Sequence, residues 1–450
     1  MRIHFIAIGG SAMHNLAIAL HLKGFQITGS DDEIFEPSKS RLIQHGLLPK
    51  EEGWHPENIS ANIDVIILGM HARTDNPELL RALELGLKIY SYPEFLFEQT
   101  KDKTRVVIGG SHGKTTTTSM VMHVLKYCNI EFDYMVGAKL EGFDTMVGLS
   151  HTAEIAVFEG DEYLSSPIDV RPKFHHYRPH IALITGIAWD HINVFPTFEG
   201  YVDQFRIFAE MIEPNGSLIY FADDEHLQNI VKGLQNEVNT IPYFTPDYLI
   251  EDNSTSVLTP FDIYQLRIFG EHNLQNLEGA RLVCQKLGIS DHRFYEAITS
   301  FSGSSRRLEV IAENNDTTIY YDFAHSPSKL KATTQAVKQQ FENRELIAVM
   351  ELHTFSSLKK EFLVQYRGAM DAADQALVYF NPKTLEHKQL EPITAGQVKA
   401  AFGGNVKVYT DSDLLFEFLS EMEWKNKNLL IMSSGNFSGK NIKTFGESLI

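Results

Sequence analysis

Cysteine is almost missing from this chain: Cys128 and Cys284 are the only two in 450 residues. Two thiols build no disulfide framework, and with no CxxC pair they build no paired thiolate metal site either. Both are expected to be buried small hydrophobes in a reducing compartment. Long apolar stretches are missing too, since no run approaches the roughly 20 residues that span a bilayer. The opening MRIHFIAIGG lacks the basic start, extended apolar segment and small-residue cleavage site of a secretory signal. The expected location is the cytoplasm, with no membrane partner. A basic surplus is also absent: 40 Lys and Arg stand against 58 Asp and Glu, a formal charge of -18. Such a field repels polyanions, which excludes broad nucleic-acid binding and confines any phosphate site to a local pocket. There is no repeat of 20 to 50 residues and no low-complexity segment.

What remains is an ordinary globular composition, 43% hydrophobic and 22% charged, over a length that exceeds one hydrophobic core. Two or three domains are expected. Short apolar runs alternate with helical patterns: IHFIAI at 3–8, VIILG at 65–69, RVVIGG at 105–110, IAVFEG at 155–160 and IALITG at 181–186. LIAVM at 346–350, ALVYF at 376–380 and NLLIMSSG at 428–435 follow. Buried runs separated by helices indicate parallel sheets covered on both faces, so the class is α/β. Polar stretches at Glu98–Thr104 and Ser300–Arg307 place the boundaries at 1–103, 104–303 and 304–450.

The sharpest chemical signal is GGSHGKTTTT, Gly109–Thr118, between a strand and a helix with apolar Met120, Val121, Val124 and Leu125. In Gly110, Ser111, His112 and Gly113 the backbone N–H groups close around phosphate oxygens. Lys114 reaches the terminal phosphates, and the hydroxyls of Thr115 and Thr116 open the helix, one of them suited to Mg²⁺. The loop is one residue shorter than the general P-loop pattern. A second glycine turn, Gly9, Gly10 and Ser11, ends the first strand, and Asp31 in TGSDD lies where a ribose-binding acid would follow. Ala12 and Asn15 occupy the later glycine positions, so packing without a ligand is an equal reading of that turn. Glu159 in EGDEY and Asp190 and His191 in WDHIN follow consecutive strands, where ligands of open α/β sheets collect. With a P-loop hydroxyl they could hold Mg²⁺ between ATP and a second anion. GEHNLQN at 270–276, SSRRLE at 304–309 and YDFAHSP at 321–327 specify no reaction by spacing alone. There a helix N-cap for Asn273 and surface charge for Arg306 and Arg307 are the plainer readings.

Taken in order, these elements resemble the Mur ligase family from the first strand to SSGNFSGK. The short P-loop reads GGSHGKTT, the acidic strand end EGDEY and the Asp-His motif WDHIN. The Gly-x-His-Asn signature reads GEHNLQN, the Arg-x-Glu element RRLE and the Asp-aromatic-Ala-His element DFAHSP. The resemblance implies a three-domain architecture: a Rossmann-like first domain for UDP-sugar, a P-loop central domain and an α/β C-terminal domain. It implies phosphoryl transfer from ATP, with Mg²⁺ near Thr115, Glu159 and His191, to the lactyl carboxylate of UDP-N-acetylmuramate. A peptide amine then attacks the acyl phosphate. Lys114, Glu159 and His191 are the implied catalytic residues, and Asn273, Arg307 and Asp322 join the loop in contacting nucleotide. Gly9, Gly10, Ser11, Asp31 and His176 are assigned to the UDP-sugar. The strand ends Glu351–Ser357 and Ser433–Lys440 are assigned to the peptide, and Ser302–Ser305 to a hinge that closes the third domain over ATP. Within the family, the opening strand with DEY, RPKFHHYRP and DFAHSP resembles the branch that recycles L-alanyl-γ-D-glutamyl-meso-diaminopimelate. The alternatives are the branch that adds L-alanine to the same sugar and, in another class, a P-loop switch or binding module. Gly186 and Asn193 depart from the family pattern around the Asp-His motif, ELHTFSS lacks an arginine, and no lysine lies between His191 and Lys232. The oligomeric state is not read from the sequence.

Overall fold

In the computed structural model, residues 1–189, 194–235, 237–303 and 306–450 are described. The first apolar run forms β1 (Arg2–Ile6), and the glycine turn after it opens α1 (Ser11–Leu22). Strands β2 (Gln26–Ser30), β3 (Val65–Leu68) and β4 (Lys88–Ser91) complete a parallel sheet of order β2-β1-β3-β4, with α2 (Ser38–Gln44), α3 (Pro77–Glu84) and α4 (Tyr92–Thr100). Pairing of Ile6 with Ser30 brings the Gly9 turn and Asp31 to one edge. A capping box between Ser91 and Glu94 starts α4, which satisfies backbone donors that the first helical turn cannot.

The next stretch contains β5 (Thr104–Gly109), α5 (Lys114–Tyr127), β6 (Phe132–Met135), β7 (Val147–Gly148) and β8 (Ile155–Glu159). The hairpin β9 (Leu164–Ser166) and β10 (Asp169–Pro172) follows, then β11 (Ile181–Ile184), α6 (Phe198–Glu210), β12 (Ser217–Phe221), α7 (Glu225–Gly233) and β13 (Asn239–Tyr243). The main sheet has the order β13-β12-β11-β5-β8-β6-β7 and is parallel except at β7. Because β5 lies between β8 and β11, the P-loop, Glu159 and the segment from Thr185 emerge side by side, where the strand order reverses. Met120, Val121, Val124 and Leu125 of α5 are fully buried, as their spacing predicts. A continuous core runs from Phe5 and Ile18 through Phe158 to Phe205 and Phe208.

Strands β14 (Tyr248–Glu251), β15 (Ser254–Leu258) and β16 (Ile263–Leu266) form an antiparallel sheet before α8 (Glu271–Lys286). The last sheet contains β17 (Glu309–Glu313), β18 (Thr318–Asp322), β19 (Glu345–Leu352), β20 (Gln375–Phe380), β21 (Val406–Tyr409) and β22 (Lys427–Met432). Its order is β17-β18-β22-β19-β20-β21, and only β17 runs antiparallel. Along β19, Leu346, Ala348 and Met350 enter one core while Ile347 and Val349 enter another. Both faces are therefore covered, and period-2 alternation reads as a continuous apolar run.

All eight expected runs are strands; the hairpin β9–β10, the sheet β14–β16 and the strands β2, β4, β6, β7, β12, β13, β17, β18 and β21 were not among them. Cys284 is buried as expected, but Cys128, at the end of α5, is only half-buried. The chain divides into two compact units, one of Met1–Trp189, Val194–Phe244 and Leu277–Ala297, the other including Thr245–Asn276 and Ile298–Ile450. Among the described residues no helix is long and apolar enough to cross a membrane.

Candidate functional site

The loop after β5 turns on two glycines with positive φ, Gly110 at 129° and Gly113 at 72°. A Cβ on Gly110 would run into Thr185, so the loop can only close with glycine there. Gly113 is the N-cap of α5, which leaves the helix N-terminus and its partial positive charge open at the loop. Ser111 is buried; its Oγ lies 2.9 Å from Tyr201 Oη and accepts from Ala188 N at 2.9 Å. The His112 carbonyl accepts from the Thr185 hydroxyl. Lys114 Nζ donates to Gly110 O at 2.6 Å and to Glu162 Oε2 at 2.8 Å. Burial pulls the Lys114 ammonium down, but the carboxylates of Glu162 and Asp161 outweigh it and hold it above its ordinary value.

Thr115 Oγ1 donates to Glu159 Oε1 at 3.0 Å, and Gly137 N donates to Glu159 Oε2 at 2.7 Å. Burial raises the Glu159 carboxyl against those bonds and against the charge of Lys114. A hydroxyl and a carboxylate that meet beside a phosphate-binding loop are a suitable oxygen donor pair for Mg²⁺. Thr116 is buried in the first turn of α5. Half-buried Asp161 accepts from Lys173 Nζ at 2.6 Å; although partial burial opposes it, Lys173 and Lys114 hold its carboxyl well below the usual range. Glu162 Oε1 accepts from Tyr201 Oη at 3.0 Å. A chain of bonds thus runs from Lys114 through Glu162 and Tyr201 to Ser111.

In the first glycine turn, Gly9 N donates to Asp31 Oδ2 at 2.7 Å. A Cβ on Gly9 would come within 2.9 Å of that oxygen and 3.1 Å of Ile34, so the close approach requires glycine. Gly10 is the N-cap of α1, and Ser11 is its first residue. Burial and the neighbouring Asp32 raise the Asp31 carboxyl to about 7. Asn15, at a degenerate glycine position, is fully buried. Its Oδ1 accepts from Arg41 Nη1 at 2.8 Å and from Met146 N at 2.9 Å, and this ties α1 to the loop before β7.

In the second unit, Asp322 is buried and accepts from Leu308 N at 2.7 Å and Ala324 N at 2.6 Å; burial raises its carboxyl, opposed chiefly by the charge of Arg307. The guanidinium of Arg307 stacks over the ring of Phe323 at 5.1 Å, and Arg306 lies over Tyr321 at 5.3 Å. Asn273 is no N-cap: it lies inside α8, and its Nδ2 donates back to Phe269 O at 2.9 Å. The two expected peptide-binding strand ends meet at buried Glu351, which accepts from the Ser433 hydroxyl and, at 3.0 Å, from Phe437 N.

Three family descriptions match along the chain: "Mur ligase family, catalytic domain" over residues 2–104, "Mur ligase middle domain" over 108–284 and "Mur ligase, glutamate ligase domain" over 306–435. A UDP-N-acetylmuramate–L-alanine ligase of Caldicellulosiruptor bescii is 32% identical over 389 residues, covering 83% of this chain and 82% of that protein. The chain belongs to the Mur ligase family. Among solved structures, the UDP-N-acetylmuramate:L-alanyl-gamma-D-glutamyl-meso-diaminopimelate ligase of Neisseria meningitides is 26% identical, with TM-score 0.60 over 67% of this chain and 98% of that one. The UDP-N-acetylmuramate-alanine ligase of Thermotoga maritima shares the fold at TM-score 0.73 and 20% identity, over 100% of this chain and 98% of that one. This Mur ligase is therefore an ATP-dependent, Mg²⁺-using enzyme that forms amide bonds, with the three-domain α/β architecture of its family.

Of the residues expected to serve the ligase, Lys114, Thr115 and Glu159 stand together, as do Gly9, Ser11 and Asp31 in their own turn. Asp190 and His191 lie outside the described residues, as do Ser304 and Ser305 of the expected hinge. His176 sits in the turn after β10, where its ring faces Asp169. Sequence reasoning passed over Glu162 and Tyr201. Glu162 was within reach, because it lies three residues after Glu159 in the same strand-end motif; Tyr201, from α6, gave no local signal.

Proposed function

We propose that this Mur ligase activates the lactyl carboxylate of UDP-N-acetylmuramate and joins it to the α-amine of L-alanine, in the cytoplasm. The observation that supports this is the convergence of Lys114, Thr115 and Glu159 at the ends of β5 and β8, a set suited to phosphoryl transfer and offering charge and oxygen ligands, with no nucleophile. When bound, ATP supplies the phosphoryl group that turns a poor acyl donor into an acyl phosphate, and Mg²⁺ neutralises its charge. Lys114 and the N–H groups at the start of α5, Gly113 to Thr116, would orient the phosphates, and Thr115 with Glu159 would hold the metal, His191 being assigned to it as well. The amine displaces phosphate, so the products are an amide, ADP and inorganic phosphate. Asn273, Arg307 and Asp322 are assigned to the nucleotide, and Gly9, Gly10, Ser11 and Asp31 to the UDP-sugar; His176, expected from the sequence to join them, turns its ring to Asp169 instead and is left out of that set.

The sequence motifs alone pointed first to the tripeptide L-alanyl-γ-D-glutamyl-meso-diaminopimelate; the named relatives favour L-alanine over it. The tripeptide remains the second reading because the Neisseria ligase of that specificity is 26% identical. Phosphate release from ATP and UDP-N-acetylmuramate, measured with L-alanine and with the tripeptide, decides between them. Higher kcat/KM for L-alanine supports the first reading, and higher kcat/KM for the tripeptide replaces it with the second. ATP turnover that neither acceptor stimulates refutes both.

A further inference from the structure

We propose that Glu94, Asp169 and His176 form a binding site for a divalent transition metal of the zinc class, separate from the nucleotide metal. One ligand atom from each lies within 4.8 Å of the others, and they come from three elements: α4, β10 and the turn after it. His176 carries the inference. It is only 8% exposed, its Nε2 makes no hydrogen bond, and that nitrogen lies 3.3 Å from Asp169 Oδ2. Ligand atoms of a tetrahedral zinc site, with bonds of about 2.0–2.2 Å, are about 3.4 Å apart, so this pair already has the required separation. Glu94 can offer one oxygen to a metal. The Ser91 backbone and hydroxyl take its Oε2, each at 2.7 Å, and its Oε1 faces the cluster. The ligand atoms lie as much as 4.8 Å apart, so this oxygen has to close in by up to about 1.4 Å to reach a tetrahedral separation, a side-chain adjustment.

The cluster already contains one cation. Arg171 donates to Asp169 at 2.7 and 2.9 Å and to Glu94 at 3.4 Å. Its side chain is 56% exposed, so it can leave for solvent while the buried imidazole cannot. Arg171 is thus a removable counter-ion, and metal and guanidinium compete for the same two carboxylates. An imidazole with two carboxylates selects Zn²⁺ or Co²⁺ over the all-oxygen preference of Mg²⁺. The bound metal would join α4 to the β9–β10 hairpin.

The test is a Co²⁺ titration of the full-length, chelator-treated protein in excess Mg²⁺, read by the visible ligand-field bands and by thermal unfolding. Wild type should take up one equivalent and unfold at a higher temperature when loaded. His176→Ala and Asp169→Asn should each weaken binding by about tenfold or more, while Glu159→Gln leaves it unchanged. Arg171→Ala should bind about tenfold more tightly, because the competing charge is gone. Wild type and Arg171→Ala that bind no better than His176→Ala would overturn the proposal and leave an ion-pair network joining α4 to the hairpin. Weaker binding by Arg171→Ala would overturn it equally.

Discussion

Replacing Lys114 by methionine removes one partner of a buried ion pair, so its effect should extend beyond turnover. Glu162 is 0% exposed and Lys114 14% exposed, with 2.8 Å between them. Breaking such a pair from one side costs about 3–5 kcal/mol, because the remaining charge is left in a poor solvent. The lower end applies here, since Tyr201 still donates to Glu162 and Lys173 still neutralises Asp161. A loss of about 3 kcal/mol corresponds to a fall in Tm of about 6–12 °C for a domain of about 200 residues. Nucleotide-free thermal unfolding of Lys114→Met should show that fall, and phosphate release should drop by orders of magnitude. Adding Glu162→Gln removes the stranded charge, so the double variant should regain most of the Tm while activity stays lost. An unchanged Tm in Lys114→Met, or no recovery in the double variant, would refute the idea that Lys114 neutralises Glu162.

Three further expectations follow from the same bonds. Glu159→Gln should raise the Mg²⁺ concentration at half-maximal activity, because a carboxylate ligand becomes a neutral amide beside Thr115; an unchanged titration would return Glu159 to a purely structural role. Asp31 titrates near 7 in the fold and near 4 in an unfolded chain, so protonation favours the folded state: its contribution is complete below about pH 4 and is lost as pH rises to 7. The urea midpoint of wild type should therefore fall relative to Asp31→Asn between pH 5 and 8, and parallel profiles would exclude the raised carboxyl. Asn15→Gly, which restores a glycine to the first turn, should destabilise by about 2–3 kcal/mol, with about 1 from glycine in a helix and the rest from Arg41 Nη1 and the Met146 N–H, which lose their shared acceptor while Arg41 Nη2 keeps the Asp144 carbonyl; a neutral urea midpoint would contradict this.

The parts of this ligase that were legible in the sequence share one property, which is that their signals are local. A buried parallel strand is a short apolar run whatever lies beside it, and the P-loop places strand, glycines, lysine and helix within ten consecutive residues, Gly109–Thr118. The elements that escaped depend on partners distant in the chain. Strands β14–β16 are half-exposed and pair only with each other, so their alternation is diluted by polar residues and yields no apolar run. The position of His176 follows from α4, about 80 residues earlier in the chain, and could not be read from RPKFHHYRP.

Asn15 shows the same limit from the other side. Read along the chain, it is a defect in a glycine motif, and that reading puts packing without a ligand level with an anion site. Read in the fold, its Oδ1 is the acceptor for Arg41 and for the backbone of Met146, a connection that glycine could not make. The turn therefore departs from the dinucleotide pattern because α1 also anchors the first sheet to the P-loop sheet, and the departure is no evidence against an anion at Gly9–Ser11. A motif scored only for its ligand will count such residues as losses wherever the same helix also carries an interface.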